Sequence, residues 1–107
     1  MIIRTALLEG EVAAEDRTAF DHYMRTTVVD EILRYPGIRG VTVRRRMQAD
    51  AGAPNIYMQF DLMFDDLAAM DAALASPIRA EVQARIKAGM APFTGRVSHI
   101  VFEDLAP

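Results

Sequence analysis

The chain has 107 residues, 51% of them hydrophobic and 25% charged, with a formal net charge of −3. That is the size and balance of one globular domain able to bury a core, so residues 1–107 are read as a single unit. A mildly acidic chain without a basic stripe is a poor nucleic-acid binder. No apolar run reaches the roughly 18 residues of a membrane helix. The absence of cysteine excludes disulfides, thiol nucleophiles and thiolate metal sites. The N-terminus has no charged segment ahead of its apolar run and no plausible cleavage site, so no signal peptide is expected and the cytoplasm is the expected location.

In chain order, residues 1–8 are apolar and β-capable and predict a first strand. Residues 15–34 predict a helix: Phe20, Tyr23, Met24, Val28 and Ile32 recur at three and four and form one apolar stripe. Glu15 and Asp16 suit its N-terminal dipole, and Tyr35-Pro36-Gly37 stops it. Residues 38–47 are rich in β-branched side chains and alternate, predicting a second strand. The polar stretch 48–54, with Gly and Pro, reads as a hairpin-type loop. In the third strand Ile56, Met58, Phe60, Leu62 and Phe64 alternate strictly with Tyr57, Gln59, Asp61 and Met63. Asp65 and Asp66 are good caps for a short helix carrying Leu67, Met70 and Leu74. Ser76-Pro77 breaks or restarts it, and Ile78, Val82 and Ile86 continue a second piece to about Lys87. Residues 96–103 form the last strand.

The order β-α-β-β-α-β is that of an α+β, ferredoxin-like domain: an antiparallel four-stranded sheet, expected strand order 4-1-3-2, with the helices on one face. The other face must meet water or a partner.

The segments "FDHYMRTTVVDEILRYPGIRGVTVRR", "FDDLAAMDAALASPIRAEVQA" and "APFTGRVSHIVFE" resemble the EthD-like family of dimeric α+β barrels, and the likeness runs over nearly the whole chain. Tyr23 matches the family's helical Tyr, whereas Met24 stands where the family has Trp and Val28 where it has His. The resemblance implies a homodimer packed sheet to sheet and a small-molecule pocket in each subunit. It also implies a setting among degradation systems, with isomerases, cyclases, decarboxylases and cofactor-free monooxygenases as relatives. Fold alone does not choose among these.

Placing Val41, Val43 and the apolar set of the third strand under the helices leaves Thr42, Arg44, Arg46, Tyr57, Gln59, Asp61 and Met63 facing the barrel interior. The same alternation is read as putting Ile3, Thr5, Leu7, Ile100 and Phe102 toward the helices and Arg4, Ala6, Leu8, Val97, His99 and Val101 toward the barrel. Both faces of the first strand are apolar, so its assignment is the least constrained.

The expected site is therefore a barrel pocket. His99 and Asp61 are its acid–base candidates and Tyr57 its proton donor. Arg44, Gln59, Arg4 and Met63 form its walls, and His22 and Tyr23 stand at its rim or in the adjoining core. Asp61 and His99 are expected to open onto one cavity. The competing reading is a dimer interface in which Asp61 simply pairs with Arg44 or Arg4.

No metal or cofactor is expected. His99 and Glu103 lie about 13 Å apart along a strand and cannot chelate one ion. Neither a dinucleotide fingerprint nor a nucleophile motif is present. Two functions follow: a cofactor-independent acid–base enzyme on a small hydrophobic or aromatic metabolite, or a non-catalytic binding or accessory protein. Cofactor-free oxygenation is a weaker third.

Overall fold

The computed structural model describes residues 1–106. Strand β1 spans Ile2–Val12. A 3-10 turn, Ala14–Asp16, leads into a first helical arm built of α1 (Arg17–Tyr23), a π-helical turn (Met24–Val28) and α2 (Val29–Ile32). Then come β2 (Gly40–Arg45), β3 (Ile56–Phe64), α3 (Leu67–Leu74), α4 (Ile78–Ala88) and β4 (Phe93–Glu103). All strand pairs are antiparallel, and the sheet order is β2-β3-β1-β4. This is the ferredoxin-like arrangement expected from the sequence, with the second helical segment split in two at Ser76-Pro77.

The local signals act as their chemistry requires. The Asp66 carboxylate accepts a hydrogen bond from the Ala69 amide at 2.8 Å, capping α3. Gly37, at φ +76°, reverses the chain after α2, where a side chain would be strained. The first arm has no side-chain cap at Ala13; packing holds it instead, with Phe20, Met24, Val28 and Ile32 all buried. They meet Leu8 and Val12 of β1 and Met58, Phe60, Leu62 and Phe64 of β3. Each such burial contributes about 1.5–3 kcal/mol. The two helical arms meet at Gly89, where a Cβ would run into the Tyr23 ring. The Tyr23 hydroxyl donates to the Arg85 carbonyl at 2.6 Å. Tyr23 thus ties the arms together, as the core alternative for it anticipated.

The faces of β2 and β3 follow the alternation, but those of β1 and β4 are the reverse of the expectation. Directly paired residues share a face of a sheet. Phe60 pairs with Ala6, and Ala6 pairs with His99. Arg4, Ala6, Leu8, Val97 and His99 therefore lie on the helix side with Phe60 and Leu62, where they line one cavity. Thr5 points the other way and donates to Asp61 at 2.7 Å, and by register Ile100 and Phe102 share its face. Alternation could not decide these strands because both faces of β1 are apolar and both faces of β4 mix apolar with polar residues; the pairing register decides them.

Tyr57 is corrected for a different reason. Leu8 pairs with Met58 and Glu9 with Ile56, so Tyr57 is the extra residue of a β-bulge. The bulge turns its side chain under the first arm, where its ring meets Phe20 edge-on at 5.9 Å and its hydroxyl donates to Asp21 at 2.6 Å.

Candidate functional site

The expected site residues are divided among five places. Arg4 and His99 stand on the helix side of the sheet. Asp61, Arg44 and Gln59 stand on the outer face, with Met63 on the same side by alternation. Tyr57 is held beneath α1 and Tyr23 between the helical arms. His22 lines a separate polar cleft with Asp21, Arg25 and Arg45, its Nδ1 3.3 Å from the Arg25 guanidinium. The cavity expected to join Asp61 to His99 is not formed: the sheet itself separates them.

On the outer face Asp61 is fully engaged. It accepts from Thr5 Oγ1 at 2.7 Å, from Arg44 at 2.6 Å, from Gln59 Nε2 at 3.2 Å and from Thr42 at 3.4 Å. Burial alone would raise its pKa. The hydrogen bonds from Thr5, Gln59 and Arg44 outweigh that effect and hold the carboxyl below its usual range. A carboxylate with this many donors is a structural acceptor, and it pairs with Arg44 within the chain. Tyr57 is similarly occupied: burial first, then its bond to Asp21, push the phenol up to about 12. It is a poor proton donor near neutral pH.

The helix side holds a cavity of about 370 Å³. Ala6, Leu8, Phe60 and Leu62 form its floor; Met24, Val28 and Ile32 of the first arm, and Val82, Ile86 and Met90 of the second, form its walls. Met24 and Val28 belong to the π turn, a rare element that is frequent at functional sites. They are also the two positions at which this chain departs from the EthD-like pattern, so the departure falls in the cavity wall. The β4 side is open to solvent, with Val97 44% exposed and His99 exposed beside it.

Polar side chains reach this cavity from four segments: Arg4 from β1, Tyr35 from the turn after α2, Arg79, Gln83 and Lys87 from α4, and His99 from β4. Among the described residues no carboxylate lines it. Partial burial, then the charges of Arg4 and Arg79, hold the His99 pKa below the ordinary imidazole value. His99 is therefore neutral at pH 7 and able to accept a proton. Burial, then Arg79, lower the Arg4 pKa. Burial raises that of Tyr35 against the opposing pull of Arg79 and Arg4.

Sequence reasoning found Arg4 and His99 but assigned them to the wrong face, and it missed Tyr35, Arg79, Gln83 and Lys87. The signal was present: Arg79, Gln83 and Lys87 step by four along α4 beside Val82, Ile86 and Met90, a polar stripe flanking the apolar one. Among the described residues no group of three or more His, Asp and Glu side chains is placed to hold a metal ion, and no helix is long and apolar enough to cross a membrane.

The architecture is shared with solved structures at low sequence identity. An EthD family protein from Bacillus halodurans superposes with a TM-score of 0.71 at 21% identity, over 98% of this chain and 100% of that one. A dimeric protein of unknown function with a ferredoxin-like fold from Bacteroides fragilis gives 0.67 at 13%, over 96% and 95%. SnoaB, a cofactor-independent oxygenase from Streptomyces nogalater, gives 0.59 at 20%, over 99% and 92%. No protein-family model and no curated protein matches the sequence. The likeness to the EthD-like barrels therefore stands at the level of fold.

Proposed function

We propose that the protein binds a small hydrophobic or aromatic metabolite in the helix-side cavity and acts on it by cofactor-independent proton transfer, with His99 as the acid–base group. The observation that carries this reading is an imidazole facing an apolar cavity whose other polar groups are cationic or uncharged, with partial burial and the charges of Arg4 and Arg79 favouring its neutral form. A base so placed removes a proton from a carbon beside a carbonyl. The C–H electron pair moves into the carbonyl as an enolate, and the proton rests on the imidazole. The imidazolium then returns the proton to the conjugate carbon, which is an isomerisation with no net gain or loss of atoms. The cations of the cavity wall favour the negative charge that develops on oxygen. The structural neighbours described as a cofactor-independent oxygenase and an EthD family protein support a small-molecule role without choosing the reaction.

Asp61 and Tyr57 have no part in this mechanism, since both are committed to structural bonds away from the cavity. The non-catalytic reading keeps one supporting observation: among the described residues no carboxylate stands beside His99 to orient its ring.

Assembly as a homodimer through the outer sheet face belongs to the same proposal. Ile100 (44% exposed) and Phe102 (51%) lie on that face by register, with Ile3 between Phe102 and Met63, so solvent-accessible apolar side chains cross the face from β4 to β3. Relatives described as dimeric support it. The apolar residues carrying it differ from those inferred by alternation, since Ala6 and Leu8 face the cavity instead.

The test is a thermal-shift screen of small aromatic and unsaturated carbonyl compounds, followed by NMR of each binder in deuterated water. The proposal expects deuterium to enter an acidic C–H of at least one binder with wild-type protein, and not with His99→Gln. Binders that never exchange, or exchange equally with His99→Gln, would leave a carrier.

A further inference from the structure

The cavity gathers three of the six basic residues that form no ion pair among the described residues; the other three, Arg17, Arg25 and Arg46, bond to a backbone carbonyl, a histidine ring and an asparagine elsewhere. Six arginines pair with carboxylates: Arg34 with Glu31, Arg39 with Asp65, Arg44 with Asp61, Arg45 with Asp21, Arg85 with Glu31 and Arg96 with Glu9. The chain has 15 acidic residues against 12 basic ones, so counter-charges are plentiful. Yet none is placed beside Arg4, Arg79 or Lys87, which make no ion pair among the described residues. Arg79 finds only the Leu74 carbonyl, at 3.4 Å. Arg4 and Arg79 come from opposite layers, β1 and α4, and line the same cavity. Like charges brought together at the wall of an apolar cavity repel, and burial makes that repulsion costlier. An arrangement of this kind is relieved by an anion.

We infer that the cavity takes a small apolar body bearing a carboxylate, with Arg4 and Arg79 holding the carboxylate and the Tyr35 hydroxyl beside them as a further donor. The inference rests on the cavity reading above and names the class of ligand it admits. The size of the apolar lining against the few polar groups argues for a ring or short unsaturated chain carrying one acid group. A highly charged or sugar-like molecule would leave its other polar groups unpaired against Leu8, Phe60, Val82 and Ile86. Arginine is suited to the task because its planar fork meets both carboxylate oxygens. With the acid anchored there, the apolar body extends over the floor and past His99.

Calorimetric titration at pH 7 with matched acid and amide pairs tests this directly: benzoate against benzamide, cinnamate against cinnamamide, and 2-naphthoate against 2-naphthamide. Each pair shares its apolar body and differs in charge. For at least one pair the acid should bind about tenfold or more tighter than its amide, as a charge-assisted hydrogen bond implies. Arg4→Gln and Arg79→Gln should each reduce the preference, and the double variant should abolish it. The amide's affinity should stay within about twofold and so serve as the check on folding. Arg79→Lys should restore part of the preference, and added salt should weaken it. Amides that bind as tightly as their acids, or a preference that survives in the double variant, would overturn the inference and leave the cavity reading standing. If no acid or amide binds at all, both fall together.

Discussion

The two faces of the sheet carry similar side chains arranged to opposite effect. On the outer face Asp61 gathers Thr5, Thr42, Arg44 and Gln59 into a network in which the charges are matched. On the helix side Arg4, Arg79 and His99 face an apolar cavity that no carboxylate of the described residues lines. A matched network has nothing left to offer a ligand; a cluster of like charges over an apolar floor does. Satisfaction of the polar groups, rather than their identity, separates scaffold from candidate site.

The contrast can be broken from its foundations first. Phe60 is 4% exposed and sits in the cavity floor, packed against the first helical arm. Phe60→Ala should cost about 3–5 kcal/mol in a denaturant melt, a loss no outer-face substitution should match. Next in size is Asp61→Ala, which strands the Thr5 hydroxyl at 3% exposure and should cost about 2 kcal/mol. Asp61 also predicts a pH signature. Its folded pKa is lowered, so its contribution is full above the ordinary carboxylate value and is lost as pH falls through the folded pKa. Wild type should therefore lose its advantage over Asp61→Asn on acidification, and parallel pH–stability curves would contradict the network.

Smaller still is Arg44→Ala. The Arg44 side chain is 62% exposed, so despite its short contact with Asp61 the loss should stay below about 1 kcal/mol. Smallest is His99→Gln, within about 0.5 kcal/mol at pH 7, since the residue is exposed and makes no hydrogen bond within the described structure. His99 titrates below the ordinary imidazole range when folded, so the unfolded chain takes up the proton first as pH falls. Acidification through the ordinary range should therefore destabilise wild type slightly more than His99→Gln, as chemical denaturation at a series of pH values would show. A His99 that stabilised the fold strongly would have to be counted with the scaffold.

How much of this could be read beforehand follows from where the signals lay. The order of elements was legible because Phe20-Met24-Val28-Ile32, the alternation of β3 and the Asp66 cap are local patterns with one physical solution. The faces of β2 and β3 were legible because polar and apolar residues alternate there. In β1 both faces are apolar and in β4 both are mixed, and only the pairing of Ala6 with Phe60 and His99 fixes them, a long-range fact that no window of sequence contains. Tyr57 was misassigned because a one-residue bulge leaves no mark in the alternation itself. The α4 stripe of Arg79, Gln83 and Lys87 was visible, but nothing local says that this stripe faces the sheet.

The most direct test of the contrast is a methyl- and amide-resolved NMR titration with 2-naphthoate. If the helix side is the binding face, the His99 ring protons and the Met24 and Met90 methyls should shift together and saturate. The side-chain amide of Gln59 and the methyls of Thr5 and Met63 should stay in place. Saturable shifts centred on Gln59, Thr5 and Met63, with His99 and Met90 unmoved, would place the ligand on the outer face and contradict the account.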